Sequence, residues 1–92
     1  MAEQHRTKIV ATLGPATDDP RVLRDCLRAG LDIARMNTAH GTGIEQRDRI
    51  RALREAVREL GRPAGVLVDL PGPKFRLGAL PGGLRELRRG ET

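Results

Sequence analysis

Three short apolar runs separated by two amphipathic stretches, all between Lys8 and Asp69, limit the folds open to this chain more than any other feature. Lys8-Ile9-Val10-Ala11-Thr12-Leu13 stops at Gly14-Pro15 and reads as a buried strand followed by a loop. Asp32-Ile33-Ala34-Arg35-Met36-Asn37 is the second run. The third, Ala64-Gly65-Val66-Leu67-Val68-Asp69, has the nearly continuous apolar character of a strand covered on both faces.

The stretches between them carry helix signals. Asp19 is a good N-cap, Pro20 suits the first helical position, and Val22, Leu23, Cys26 and Leu27 fall on one face before Gly30 stops the helix. Thr42 and Glu45 form a capping box that opens a second helix. In it Ile50, Leu53, Val57 and Leu60 recur at offsets of three and four, while Arg47, Asp48, Arg51, Arg54, Glu55 and Arg58 cover the solvated faces. Glu45 with Arg49, and Arg51 with Glu55, are spaced for ion pairs worth a few tenths of a kcal/mol each, on the order of 0.3. Gly61-Arg62-Pro63 ends that helix. Strand, helix, strand, helix, strand predicts an α/β fold with a parallel sheet and right-handed crossovers. Past Pro71-Gly72-Pro73 the texture turns to glycine, proline and charge, and alternating pieces such as Leu84-Arg85-Glu86-Leu87 suggest β-hairpins of another domain.

A chain of 92 residues makes one small domain the starting expectation, with a modest core. Phe75 is the single aromatic residue, so it alone supplies large ring surface, and stability rests on Leu, Val, Ile and Ala. The net charge of +5 raises nucleic acid as a partner. Against it, the arginines run dispersed from Arg6 to Arg89 among Asp and Glu, with no stacking aromatics, and no nucleic-acid partner is expected. Cys26 alone excludes an internal disulfide and suits a reducing compartment. The segment Met1 to Arg6 has no apolar signal-peptide core and no run is long enough to span a bilayer, so a soluble cytoplasmic protein is expected.

Polar residues gather at the C-terminal ends of all three predicted strands: Thr12 with the Gly14-Pro15 turn, then Arg35, Asn37 and His40, then Asp69. In parallel α/β folds the sites lie at this end, where loops open and helix N-termini attract anions. The placement suits a phosphate-bearing substrate, although any strand-to-helix turn also needs small and polar residues for its own geometry.

Three motifs at these positions resemble the pyruvate kinase family. Thr7 to Thr17, TKIVATLGPAT, is similar to its opening strand and loop. Arg35-Met36-Asn37-Thr38-Ala39-His40-Gly41 resembles its R-M-N-x-S-H-G motif, and Asp69 to Arg76, DLPGPKFR, resembles D-x-x-G-P-[EK]-[IF]-R. The resemblance implies the start of a (β/α)8 barrel over 1–73 and the beginning of a β-rich lid domain over 74–92. It also implies phosphoryl transfer from phosphoenolpyruvate to ADP in glycolysis, with magnesium, in a homotetramer. Carried over residue by residue, Arg35 lies by the phosphoenolpyruvate phosphate, where an always-charged fork is well suited. Asn37 and Asp69 match two ligands of a monovalent cation, and Pro15, Asn37, His40 and Arg76 match positions near the nucleotide. The residues alone leave blander readings open: a surface arginine for Arg35, a turn cap for His40, loop geometry for Pro15, a loop hydrogen bond for Asp69, lid surface for Arg76, and core packing for Cys26.

Departures from the motifs bear on cations. Ala39 stands where the family has serine and Leu70 where it has a polar residue, so two oxygen ligands of the potassium site are missing. Lys74 replaces glutamate, and an ammonium can occupy the place of a monovalent ion. Potassium is therefore expected to be dispensable. The magnesium carboxylates and the phosphoryl-stabilising lysine lie further along in the family, so no catalytic residue is expected in this chain, which reads as an inactive N-terminal segment. The alternatives are a non-catalytic barrel remnant that folds only with a partner chain, and the basic nucleic-acid module already set aside.

Overall fold

The computed structural model describes residues 5–92; the reading of Met1 to Gln4 as free of a signal-peptide core lies outside them. The elements run β1 (Ile9–Thr12), α1 (Pro20–Ala29), β2 (Leu31–Asn37), α2 (Gly43–Leu60) and β3 (Gly65–Asp69), with short 3-10 turns at Pro15–Thr17 and Pro81–Gly83. The strands form one sheet in the order β1-β2-β3, and both pairs are parallel.

The helix ends form as their residues dictate. Asp19 accepts a hydrogen bond from the Arg21 amide at 2.9 Å and Pro20 opens α1. Thr42 and Glu45 exchange hydrogen bonds at 3.2 Å in both directions, which satisfies two orphan donors at the start of α2. Gly41, at φ +74°, makes that start possible: a Cβ there would lie 2.7 Å from the capping Oε2 of Glu45.

Register decides which residues share a face. Thr12 pairs with Arg35, and Ile33, Arg35 and Asn37 pair with Gly65, Leu67 and Asp69. These lie on one side of the sheet, because paired residues of parallel strands point the same way. Ala34 and Met36 point to the other side, into a core with Leu13, Leu23, Leu27 and Leu53 from the loop and both helices. Leu27, Met36 and Leu53 have no exposed surface to speak of, and each contributes about 1.5–3 kcal/mol by burial.

Several expectations are corrected. Phe75 does not anchor the core; it is fully exposed, and no residue from Leu70 to Thr92 is buried. Among the described residues no strand follows Asp69, and Leu84–Leu87 forms no hairpin, since no neighbouring chain lies alongside to take its ladder hydrogen bonds. The unpacked segment explains a radius of gyration of 18.2 Å, against about 12 Å for a compact chain of this length. β3 is covered on one face only, because both helices lie on the same side, leaving Leu67 on the open face at 43% exposure; Val68, on the helix side with Met36, is still 49% exposed. Arg49 crosses to Asp18, with Nε–Oδ1 at 2.8 Å, instead of pairing along α2 with Glu45, whose carboxylate is engaged in the cap. Arg51 and Glu55 are both exposed and form no ion pair, as expected where long side chains lose more freedom than a screened contact returns.

Candidate functional site

At the C-terminal edge of the sheet the Arg35 guanidinium spans all three strands. Its Nε donates to Asp69 Oδ2 of β3 at 3.0 Å, and a terminal nitrogen donates to the same oxygen. The other terminal nitrogen donates to Thr12 Oγ1 of β1 at 3.1 Å. The strand register places these groups, since Arg35 and Thr12 are direct partners and Asp69 lies one inward position beyond Leu67. About a third of the Arg35 side chain is exposed, so the fork is both held and reachable.

The turn after β2 is closed by its own backbone. His40 N–H donates to the Asn37 carbonyl at 3.2 Å, and Asn37 Oδ1 accepts from Ala39 N–H at 3.1 Å. Thr38 ties the turn to β3, its Oγ1 donating to the Asp69 carbonyl at 2.7 Å. The Gln46 side-chain amide donates to the carbonyls of Asn37 and His40 at 2.9 and 2.8 Å. On the β1 side Thr17 Oγ1 both accepts from Gly14 N–H and donates to its carbonyl, at 3.0 Å each, which fixes the turn holding Pro15. The Asp18 carboxyl beside it is held below its ordinary range by hydrogen bonds from Arg49, whose own pKa is raised by the same contact.

Of the residues singled out from the sequence, Arg35 and Asp69 come together directly, and Asn37 and Asp69 are register partners. Pro15 opens the 3-10 turn after β1, and His40 ends the β2 turn with its ring exposed. Lys74 and Arg76 do not join them; both are exposed in the segment that packs against nothing, and Lys74 makes no ion pair. The carboxylate of Asp69 is engaged by Arg35, not by Lys74. Thr38 and Gln46 were not anticipated. For Gln46 a signal existed: it falls on the apolar stripe of α2, four residues before Ile50 and seven before Leu53.

The chain matches the family model for the pyruvate kinase barrel domain over residues 4–92. It belongs to the pyruvate kinase family. It is 46% identical over 92 residues to a pyruvate kinase of Methylorubrum extorquens, covering 100% of this chain and 19% of the relative. Similarity to a pyruvate kinase of Mycobacterium tuberculosis reaches 45% over 87 residues, 95% of this chain and 18% of the relative. A Thermococcus litoralis pyruvate kinase is 39% identical over 87 residues, again 95% and 18%. The chain therefore spans less than a fifth of the length of these curated relatives.

In this pyruvate kinase segment the donors fit neither cation of the expected chemistry. Among the described residues no group of three or more His, Cys, Asp or Glu side chains converges on a point where a divalent metal would be held. For a monovalent ion, Asn37 Oδ1 caps its own turn, Asp69 Oδ2 serves Arg35, and Ala39 and Leu70 offer no side-chain oxygen. What remains falls short of the oxygen shell a hard cation requires. Among the described residues, no helix is long and apolar enough to cross a membrane.

Proposed function

We propose that this segment supplies the phosphate-recognising edge of a pyruvate kinase, which transfers a phosphoryl group from phosphoenolpyruvate to ADP to give pyruvate and ATP. The observation that carries the reading is Arg35, aimed along the C-terminal edge by Thr12 and Asp69. A phosphate arriving there meets an always-charged fork already held at that edge, with about a third of its side chain exposed. Asn37, His40, Pro15 and Arg76 are the nucleotide-facing positions, and Lys74 provides the positive charge that potassium supplies elsewhere in the family. The divalent metal of this chemistry, which would neutralise phosphate charge, is assigned to residues beyond this segment. The enclosing enzyme is placed in glycolysis, in the cytoplasm, as a homo-oligomer.

The test is a chimera in which residues 1–92 replace the matching residues of the Methylorubrum extorquens enzyme. It should turn over phosphoenolpyruvate and ADP with magnesium, while the 92-residue chain alone stays at the buffer blank. A folded but inactive chimera would refute the assignment, and turnover by the purified chain alone would refute its dependence on further residues. A second reading, a barrel remnant that needs a partner chain, is favoured by the open sheet face bearing Val10 and Leu67, and a stable but inactive chimera would support it.

A further inference from the structure

We infer that Gln46 is a positioning residue that sets the 37–40 turn for ligand binding, an inference that rests on the nucleotide role proposed for Asn37 and His40. Its backbone is anchored in the first turns of α2, the N–H donating to the Thr42 carbonyl at 3.1 Å. From there the side-chain amide reaches both ends of the turn, donating one proton to the Asn37 carbonyl at 2.9 Å and the other to the His40 carbonyl at 2.8 Å. Two acceptors demand two donors, which fixes the amide orientation; the reverse would set an oxygen against two carbonyl oxygens.

The remaining oxygen, Oε1, is buried with no partner. An unpaired buried acceptor is unfavourable, and an apolar side chain at this place on the α2 stripe would avoid it. The glutamine is therefore not explained by the stability of its own helix. What it secures is the turn: the Asn37 carbonyl receives both Gln46 Nε2 and His40 N–H, and Asn37 Oδ1 is aligned by Ala39 N–H. Gln46 thereby couples the position of two candidate nucleotide-facing residues to the capped N-terminal end of α2.

Three substitutions separate donation from packing. Gln46→Leu keeps the bulk without donors, Gln46→Glu offers acceptors only, and Gln46→Lys restores donors on a stem of sufficient reach. In the chimera the first two should raise KM for ADP on the order of tenfold with kcat nearly unchanged, and Gln46→Lys should recover most of the loss. Equal damage from all three, or falls in kcat without a change in KM, would overturn the positioning role. In the unsubstituted 92-residue chain, the Gln46 side-chain amide protons should exchange with solvent on the order of tenfold slower than those of a free glutamine side chain. Solvent-like exchange would overturn the clamp itself. Should the unsubstituted chimera lack turnover, the phosphoryl-transfer reading falls, while the exchange measurement still decides the clamp.

Discussion

Arg35 and Asp69, separated by 34 residues, meet because β2 and β3 run parallel in a register that sets Asn37 beside Asp69. Asp69 Oδ2 accepts from two nitrogens of the guanidinium, so the carboxylate expected at a cation site here serves as the counter-ion of Arg35. One carboxylate oxygen is thereby committed, and Lys74 stands apart from it.

Replacing the fork tests that relationship. Arg35→Lys keeps the charge but cannot reach both Thr12 and Asp69 with planar geometry. In the chimera it should raise KM for phosphoenolpyruvate by about 10- to 100-fold, the loss of one charge-assisted contact. Unaltered KM would show that Arg35 is surface charge only.

A potassium titration addresses the cation. With no side-chain oxygen at Ala39 or Leu70, the chimera should work in sodium-free and ammonium-free buffer without added potassium, and Lys74→Glu should impair it at every potassium concentration. Strong activation of the unsubstituted chimera by potassium, or full potassium rescue of Lys74→Glu, would contradict this.

The core makes a contrasting pair. Leu27→Ala opens a cavity beneath the sheet and should cost about 2–5 kcal/mol, read as a lowered denaturation midpoint. Phe75→Ala should leave that midpoint within about 0.5 kcal/mol, since the ring touches solvent on all sides.

Acid should loosen the N-terminal edge of the sheet. Asp32 Oδ2 accepts from Ile9 N–H at 2.8 Å and lies 2.6 Å from His5 Nε2, while Oδ1 accepts from Arg62 at 3.3 Å. The Ile9 amide foremost, then His5, holds this carboxyl below its ordinary range. A pKa lowered by folding means the contribution is complete above the unfolded value of about 3.9 and is lost as pH falls through the lower folded value. Protection of the Ile9 amide, relative to its intrinsic exchange rate, should fall across that acid range, and Asp32→Ala, which removes the acceptor, should lower it already at neutral pH. Protection indifferent to both changes would rule the contact out.

Much of this molecule was legible in local sequence. The caps at Asp19 and Thr42 and the stops at Gly30 and Gly61 depend on neighbours within a few residues, and the three strands were marked by contiguous apolar runs although their pairing is non-local. The motif residues Arg35, Asn37 and Asp69 were identifiable for the same reason, as their identities are written in contiguous stretches. Tertiary structure alone decided the partners. Whether Asp69 meets Arg35 or Lys74, whether Arg49 turns to Asp18 or Glu45, and whether Gln46 grips the β2 turn depend on strand register and on where α2 crosses the sheet. The same holds for Phe75: a large ring enters a core only where packed elements surround it, and none packs against the segment that carries it.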